Sequence, residues 1–371
     1  MEPRVPLALP DFPWDTLAPF SERAKAHPAG IVDLSVGSPV DPTPAVVRAA
    51  LENATDAHAY PLTAGTPELR AAIVSWFARR RGVGDLTVAN VLPSIGSKEL
   101  IALLPLMLGI RAGDIVVQPL VAYPTYEIGA VLAGATIVAA DEPATWPEGT
   151  KLIWVNSPSN PTGQVRDVAW LRSAVERARE LGAIIVSDEC YAEFTWESAE
   201  PAPSILDPRV VGVNRQSVLA VYSLSKQSNL AGYRAGLIAG CAALIAELLV
   251  VRKHAGLLPP APVQIAMIAA LSDQDHVVAQ RELYRARRSR LAPALLAAGF
   301  TIDHSEAGLY LWASKGDDSW STVAELAELG ILVVPGSFYS TSAPEHVRIA
   351  LTVTDERLDE AIDRLAIAYG K

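Results

Sequence analysis

The sequence predicts an α/β protein: a large domain with a mostly parallel sheet flanked by helices, followed by a smaller α+β domain. Three observations point there. Short apolar runs alternate with helical patterns through the middle of the chain, as a parallel sheet with crossover helices requires. Three polar segments rich in reactive side chains each follow one of those runs, at the strand ends where such sheets collect their sites. After Pro259-Pro-Ala-Pro262 the texture changes, and an arginine-rich helical stretch leads into a second set of strands.

The elements follow in order. Residues 67–81 and 97–108 read as helices, and 115–117 as a short buried strand before Pro119. Residues 126–133 read as a helix and 136–139 as a strand. Further apolar strands are expected at 152–155, 184–187 and 218–222, with a helix over 167–181 between the first two. Beyond Pro262, residues 276–298 form a connecting helix. Its Arg281, Arg285, Arg287, Arg288 and Arg290 read as a solvated face. Strands at 309–312, 331–334 and 346–350 and a closing helix over 355–369 complete the smaller domain.

Composition sets limits. The 371 residues, 50% of them hydrophobic, allow a large core and more than one ordinary domain. The net charge of −10 argues against a nucleic-acid partner. Two cysteines leave no disulfide framework, and a reducing cytoplasm is the expected location. The apolar runs at 101–110 and 241–251 fall short of the ~20 residues of a membrane span. The mean hydropathy of +0.23 therefore reads as core and interface. Residues 1–13, broken by prolines, do not read as a targeting signal.

The densest chemistry lies in residues 222–236. Lys226 sits behind Ser223 and Ser225, and Arg234 follows between Gly232 and Gly236. Hydroxyls and a guanidinium suit a phosphate, and an amine suits an aldehyde carbon. The stretch fits a lysine bonded to a phosphorylated aldehyde cofactor. A lysine near serines is by itself usually a surface residue. Two upstream segments change the balance: Val155-Asn-Ser-Pro-Ser-Asn160-Pro-Thr-Gly163, and Ala183-Ile-Ile-Val-Ser-Asp188-Glu-Cys-Tyr191, which ends in an acid and a phenol. Pro93-Ser-Ile-Gly96-Ser97-Lys98-Glu99 reads as a glycine-containing loop opening a helix, its backbone N–H groups suited to an anion. The Lys98 side chain reads as solvated.

Together these segments resemble the pyridoxal-phosphate aminotransferases of fold type I, classes I and II, over nearly the whole chain. The resemblance implies an aspartate-aminotransferase-like fold, with 45–275 as the large cofactor-binding domain and 1–44 with 276–371 as the small one. It implies a homodimer with shared active sites, acting on amino-acid and 2-oxo-acid substrates such as glutamate and 2-oxoglutarate. Lys226 would be the catalytic amine. Asp188 would face the ring nitrogen of the cofactor, and Tyr191 and Asn160 would hydrogen-bond its ring oxygen. Gly96, Ser97, Lys98, Ser223, Ser225 and Arg234 would hold the phosphate, with Tyr60 reaching it from the neighbouring subunit. Tyr123 would stack on the ring. Arg348 would grip the substrate carboxylate, in a pocket lined by Gly37 and Asn160. No metal is implied.

Each assignment has a plainer competitor. Asp188 could cap a helix, Asn160 could simply make a turn, Tyr60 and Tyr123 could be loop and core residues, and Arg348 could be a structural ion pair. Segments 11–15, 31–44 and 223–236 further resemble actinobacterial N-succinyldiaminopimelate transaminases of lysine biosynthesis, which implies N-succinyl-LL-diaminopimelate as amino donor. Aminotransferases for aspartate, aromatic amino acids or acetylornithine share every motif. A C–S β-lyase of the same fold shares the cofactor. A transcriptional sensor would need an added DNA-binding module.

Overall fold

The computed structural model describes residues 9–370; residues 1–8, the start of the proline-broken segment, lie outside the described residues. Its centre is a seven-stranded sheet in the order Val91–Ile95, Ala235–Gly240, Val218–Ser223, Ile184–Asp188, Thr150–Asn156, Ile115–Gln118, Thr136–Ala139. Ala235–Gly240 runs antiparallel to both its neighbours, and the remaining pairings are parallel. The mostly parallel sheet expected from the sequence is present.

Two of these strands, Val91–Ile95 and Ala235–Gly240, escape a reading of the sequence. Val91–Ile95 is a strand that runs directly into the helix Gly96–Met107, where the sequence suggests a loop. Pro93 disguises it, because proline has no N–H for a ladder. Val91–Ile95 lies at the sheet edge, where the missing donor does no harm.

The inner strands are buried on both faces, and their side chains alternate accordingly, while the edge strand Thr136–Ala139 is only partly covered. Ile153 and Val155 join Trp76, Phe77, Leu171 and Val175 on one side. Leu152 and Trp154 join Leu100, Leu104, Tyr126 and Val186 on the other. The flanking helices begin at real caps. Leu69 N donates to Thr66 Oγ1 at the start of Pro67–Arg80, and Trp170 N donates to Asp167 Oδ1 at the start of Val168–Leu181. Among the described residues no helix is long and apolar enough to cross a membrane.

A second, antiparallel sheet has the order Val334–Pro335, His346–Ala350, Tyr310–Ser314, Thr301–Asp303. The strand expected at 331–334 divides. Ile331–Leu332 pairs in parallel with Val32–Asp33 near the start of the chain, and Val334 turns to the other sheet. The N-terminal strip continues along the same sheet, where Ala350 N donates to Leu34 O at 2.8 Å.

One expectation is overturned. The arginine row of the helix Asp275–Ala297 is not a solvated face: Arg281 and Arg287 are buried, and Arg285, Arg288 and Arg290 half-buried. Arg287 pairs with Asp41 through contacts of 2.6 and 2.8 Å and reaches Asp355 at 3.4 Å. Arg288 donates to Ser305, and Arg290 pairs with Asp355 and Asp359. Glu282 of the same helix faces Arg281 and Arg285, but the acids that answer Arg287 and Arg290 lie far away in the chain, so those two look unpaired when read along the sequence. Tyr284, Leu291 and Leu295 of the same helix enter a second core with Leu34, Phe194 and Val347.

Candidate active site

The site gathers at the C-terminal ends of three adjacent parallel strands. Register sets Asn156 beside Asp188, and Asp188 beside Val221, so their following loops open onto one place. Asn156 Nδ2 donates to the carbonyls of Pro158 and Asp188, and its Oδ1 accepts from Asn160 N at 2.8 Å. That side chain, which the sequence did not single out, ties the Asn160 loop to the Asp188 strand.

Lys226 lies on the single turn Leu224–Gln227, capped by Ser223, whose Oγ accepts from Ser225 N. The Ser223 and Ser225 hydroxyls are 2.8 Å apart. Lys226 is half-buried, and its Nζ donates to the Gly37 carbonyl. Burial holds its pKa below the ordinary 10.5; Arg348 and Arg234 add to the effect, while Tyr310 and Cys190 oppose it.

Arg234 adopts a left-handed φ of 57° and brings its guanidinium against Gly96, the first residue of the helix Gly96–Met107. Gly96 itself has φ 73°, and a methyl group there would fall 2.5 Å from Arg234 Nη2. Glycine is required on both counts. Ser97 and Lys98 follow in the first turn of that helix. The Lys98 side chain is exposed and stands 5.2 Å over the Phe12 ring. The surrounding protein nevertheless partly desolvates its ammonium, which lowers its pKa, and Arg234 lowers it further. Phe12 stacks on Trp14, which meets Phe338 and Tyr339 edge-on and forms an aromatic wall.

Asp188 is buried. Its Oδ2 accepts from Tyr126 at 2.9 Å and its Oδ1 from Cys190 N at 3.2 Å. Burial raises its pKa, against the opposing effect of those hydrogen bonds. Tyr123 stands edge-on to Tyr126 at 5.8 Å, and burial pushes its phenol up to about 12.

Arg348 is buried between two phenol rings, 4.0 Å from the Tyr310 centroid and 5.0 Å from that of Tyr339. It donates to Asn160 Oδ1 at 3.1 Å and to Ser35 O at 2.6 Å, while its Nε has no partner. The Tyr191 and Tyr310 hydroxyls are 3.2 Å apart.

The structure thus brings together Gly37, Gly96, Ser97, Lys98, Tyr123, Asn160, Asp188, Tyr191, Ser223, Ser225, Lys226, Arg234 and Arg348, the residues singled out from sequence. Tyr60 stands apart: it is 99% exposed and has no partner among the described residues. Tyr126, Asn156, Tyr310 and Tyr339 are added by the fold. Tyr126 could have been found from its place in the string Tyr123-Pro-Thr-Tyr126; the other three depend on strand and loop register.

The arrangement has a chemical polarity. Among the described residues Lys98, Lys226, Arg234 and Arg348 pair with no carboxylate, and Asp188 pairs with no cation. At one end a helix start, two serines and Arg234 await an anion. At the other, a buried carboxylate awaits a protonated group. Pyridoxal phosphate carries a phosphate and a ring nitrogen at opposite ends, so the residues present fit it.

Comparisons with known proteins agree. Residues 29–365 match the family described as aminotransferase class I and II. A probable aminotransferase of Mycobacterium tuberculosis is 54% identical, over 97% of this chain and 86% of that protein. The 4-dedimethylamino-4-oxo-anhydrotetracycline transaminase OxyQ of Streptomyces rimosus is 53% identical, over 96% of this chain and 99% of that protein. A solved structure of a probable N-succinyldiaminopimelate aminotransferase from Thermus thermophilus superposes with a TM-score of 0.87 at 29% identity, covering 96% of this chain and all of that one.

Proposed function

The chain belongs to the class I and II aminotransferases, a family that uses pyridoxal phosphate, and we propose that it transfers the amino group of N-succinyl-LL-diaminopimelate to 2-oxoglutarate. The observation that carries the reading is the strip Ser35–Gly37. Arg348 donates to the carbonyl at its start and Lys226 to the carbonyl at its end, so a carboxylate clamp and an amine are held at the two ends of one three-residue strip. An α-amino acid carries a group for each.

When bound, pyridoxal phosphate supplies an aldehyde carbon and an electron-accepting ring. The chain's own groups do the rest. Arg234, Ser97, Ser223, Ser225 and the N–H groups after Gly96 would hold the phosphate. Asp188, kept in place by Tyr126 and Cys190 N, would keep the ring nitrogen protonated. Asn160 and Tyr191 would serve the ring oxygen, and Tyr123 would pack on the ring. Arg348 presents two parallel N–H donors to the substrate carboxylate, which fixes the angle of the Cα–H bond. Lys226, with its pKa lowered by burial, would take that proton as a neutral amine and hold it on Nζ for return.

A succinylated dicarboxylate needs a second cation and a long, partly apolar channel. Lys98, without a carboxylate partner, and the Phe12–Trp14–Phe338 wall supply them in this reading. The name of the Thermus thermophilus relative supports it. The same wall, with the 53% identity to OxyQ, favours a second reading in which the acceptor is a planar polycyclic ketone.

The remaining parts of the proposal are the division into 45–275 and 1–44 with 276–371, the cytoplasmic location and the homodimer. In that dimer the exposed Tyr60 hydroxyl would reach the phosphate site of a second copy.

A transamination assay on purified protein with pyridoxal phosphate tests the substrate. N-succinyl-diaminopimelate, acetylornithine and aspartate are compared as donors to 2-oxoglutarate, and glutamate is measured. Preference for the succinylated donor supports the first reading. Better use of the others, or amination of a polycyclic ketone alone, replaces it. Pyruvate and ammonia without glutamate would mean a β-lyase.

A further inference from the structure

The turn that carries Lys226 is held from behind by groups with no part in the scheme above. Its closing backbone bond runs from Ser228 N to Leu224 O at 3.2 Å. Ser228 is fully buried, and its hydroxyl lies 2.8 Å from Nε2 of His276, in the helix Asp275–Ala297. His276 Nδ1 lies 2.6 Å from Asp273 Oδ2, which also accepts from His276 N at 3.1 Å. Asp273 stands in the link between that helix and Ala261–Ser272. Serine, imidazole and carboxylate therefore form one unbroken line behind the lysine.

The far end of the line fixes the ring. A carboxylate only accepts, and the His276 bond holds the Asp273 carboxyl below its ordinary 3.8. His276 Nδ1 therefore carries a proton, and the ring cannot turn over without losing that bond. Nε2 stays aimed at Ser228, whose hydroxyl can meet it as donor or acceptor. The same hydroxyl lies 3.3 Å from Gln227 Nε2, and Gln227 Oε1 accepts from Tyr222 Oη at 2.6 Å. The two residues after Lys226 are thus tied to the strand Val218–Ser223 on one side and to the helix on the other. One turn along that helix, Gln280 Oε1 accepts from Asn229 Nδ2 at 2.8 Å, and Asn229 holds a left-handed φ of 52°.

Such a line could activate a hydroxyl for attack, but Ser228 is closed to any substrate. What the line supplies is position. A single helical turn is weak without outside support. A lysine reaches through a flexible four-carbon stem, so its amine is placed no better than the backbone beneath it. We propose that His276 is a positioning residue for Lys226: oriented by Asp273, it fixes Ser228, the residue that closes the lysine's turn, and so sets where the amine stands. No bond is made or broken in this role. The inference rests on the reading of Lys226 as the reactive amine.

Two amides divide the histidine's contacts. His276→Asn places one where Nδ1 stood and keeps Asp273; His276→Gln places one where Nε2 stood and keeps Ser228. Ser228→Ala removes the hydroxyl itself. The readout is deuterium exchange of the peptide covering residues 224–230 in the cofactor-free full chain. Exchange should rise about tenfold in Ser228→Ala and His276→Asn and stay within about twofold of wild type in His276→Gln. In the loaded enzyme the first two should lose about tenfold in kcat with KM within about twofold, and His276→Gln should keep most of it. Any other ranking overturns the proposal. Damage from His276→Gln with none from His276→Asn would leave the histidine as a helix-start residue only. Wild-type exchange in Ser228→Ala overturns it whatever the histidine variants do. Borohydride reduction of the wild-type protein loaded with pyridoxal phosphate separates the two claims. A pyridoxyl group on any residue other than Lys226 overturns the site assignment and the inference together. A group on Lys226 with another ranking overturns the inference alone.

Discussion

Arg81 and Glu189 form a 2.8 Å ion pair with both side chains out of water, one residue beyond Asp188. Glu189 also accepts from Ser204 Oγ and Ile205 N, and Arg81 donates to Ala202 O. The pair anchors the end of the strand that carries Asp188 to the helix Pro67–Arg80. Removing one partner would strand a buried charge. Glu189→Ala should lose about 3–5 kcal/mol in urea unfolding, and Glu189→Leu with Arg81→Leu should recover much of it. Equal losses in both proteins would refute the account.

Asp188 should show the opposite sign. Its folded pKa is raised above the ordinary 3.8 by burial. Below 3.8 both folded and unfolded forms are protonated and the group has no effect. As pH rises towards the folded value, the unfolded chain releases its proton first, so stability falls; above that value the loss is constant. Asp188→Asn in the cofactor-free protein should therefore melt about 2 °C or more higher near neutral pH, with the difference closing towards about pH 4. The same change should weaken cofactor binding. Melting curves across pH, with cofactor titration, check both.

Arg348→Lys keeps the charge but loses the fork. A single ammonium cannot fix two carboxylate oxygens. The expected result is a fall of about 100-fold in kcat/KM, with cofactor affinity held within about twofold. Steady-state kinetics and a fluorescence titration decide it; equal damage to both would move Arg348 from substrate to cofactor.

Lys226→Ala should lower turnover by about 10³-fold or more while the phosphate site still binds cofactor. Borohydride reduction followed by mass spectrometry should find a covalent pyridoxyl group in the wild type and none in the variant.

Gly96→Ala places a methyl against the Arg234 guanidinium, at a backbone angle that suits glycine. Cofactor affinity should drop about tenfold or more as Arg234 is displaced. Unchanged affinity would show that Arg234 is not a phosphate ligand.

The sheet and the grouping of most of the candidate site were legible because their signals are local. Lys226, Ser223, Ser225 and Arg234 fall within one short string, and Asp188 directly follows an apolar run. The rest depends on register. Tyr310 reads as one more core aromatic until the pairing of Trp312 with Arg348 is known. Asn156 looks like a strand end, and its tie to Asn160 depends on the turn between them. Arg287 looked solvated because Asp41 arrives from 246 positions away. Tyr60 was legible only through a resemblance, and one chain gives it nothing to touch.

The pairing of the strip 32–37 with the last strands also affects how the protein is made. Arg348 reaches Ser35 across 313 positions. At about 5–20 residues per second, a ribosome needs about 15–60 s to cover that distance. Through that interval the nascent chain exposes Val32 and Leu34, two apolar residues whose partners have not yet been synthesised. The central sheet can assemble meanwhile, but the pocket closes only when translation is nearly complete. Chaperone protection during synthesis would therefore matter most for the earliest residues, and a chain terminated before Arg348 would carry Lys226 without the arginine proposed to clamp the substrate.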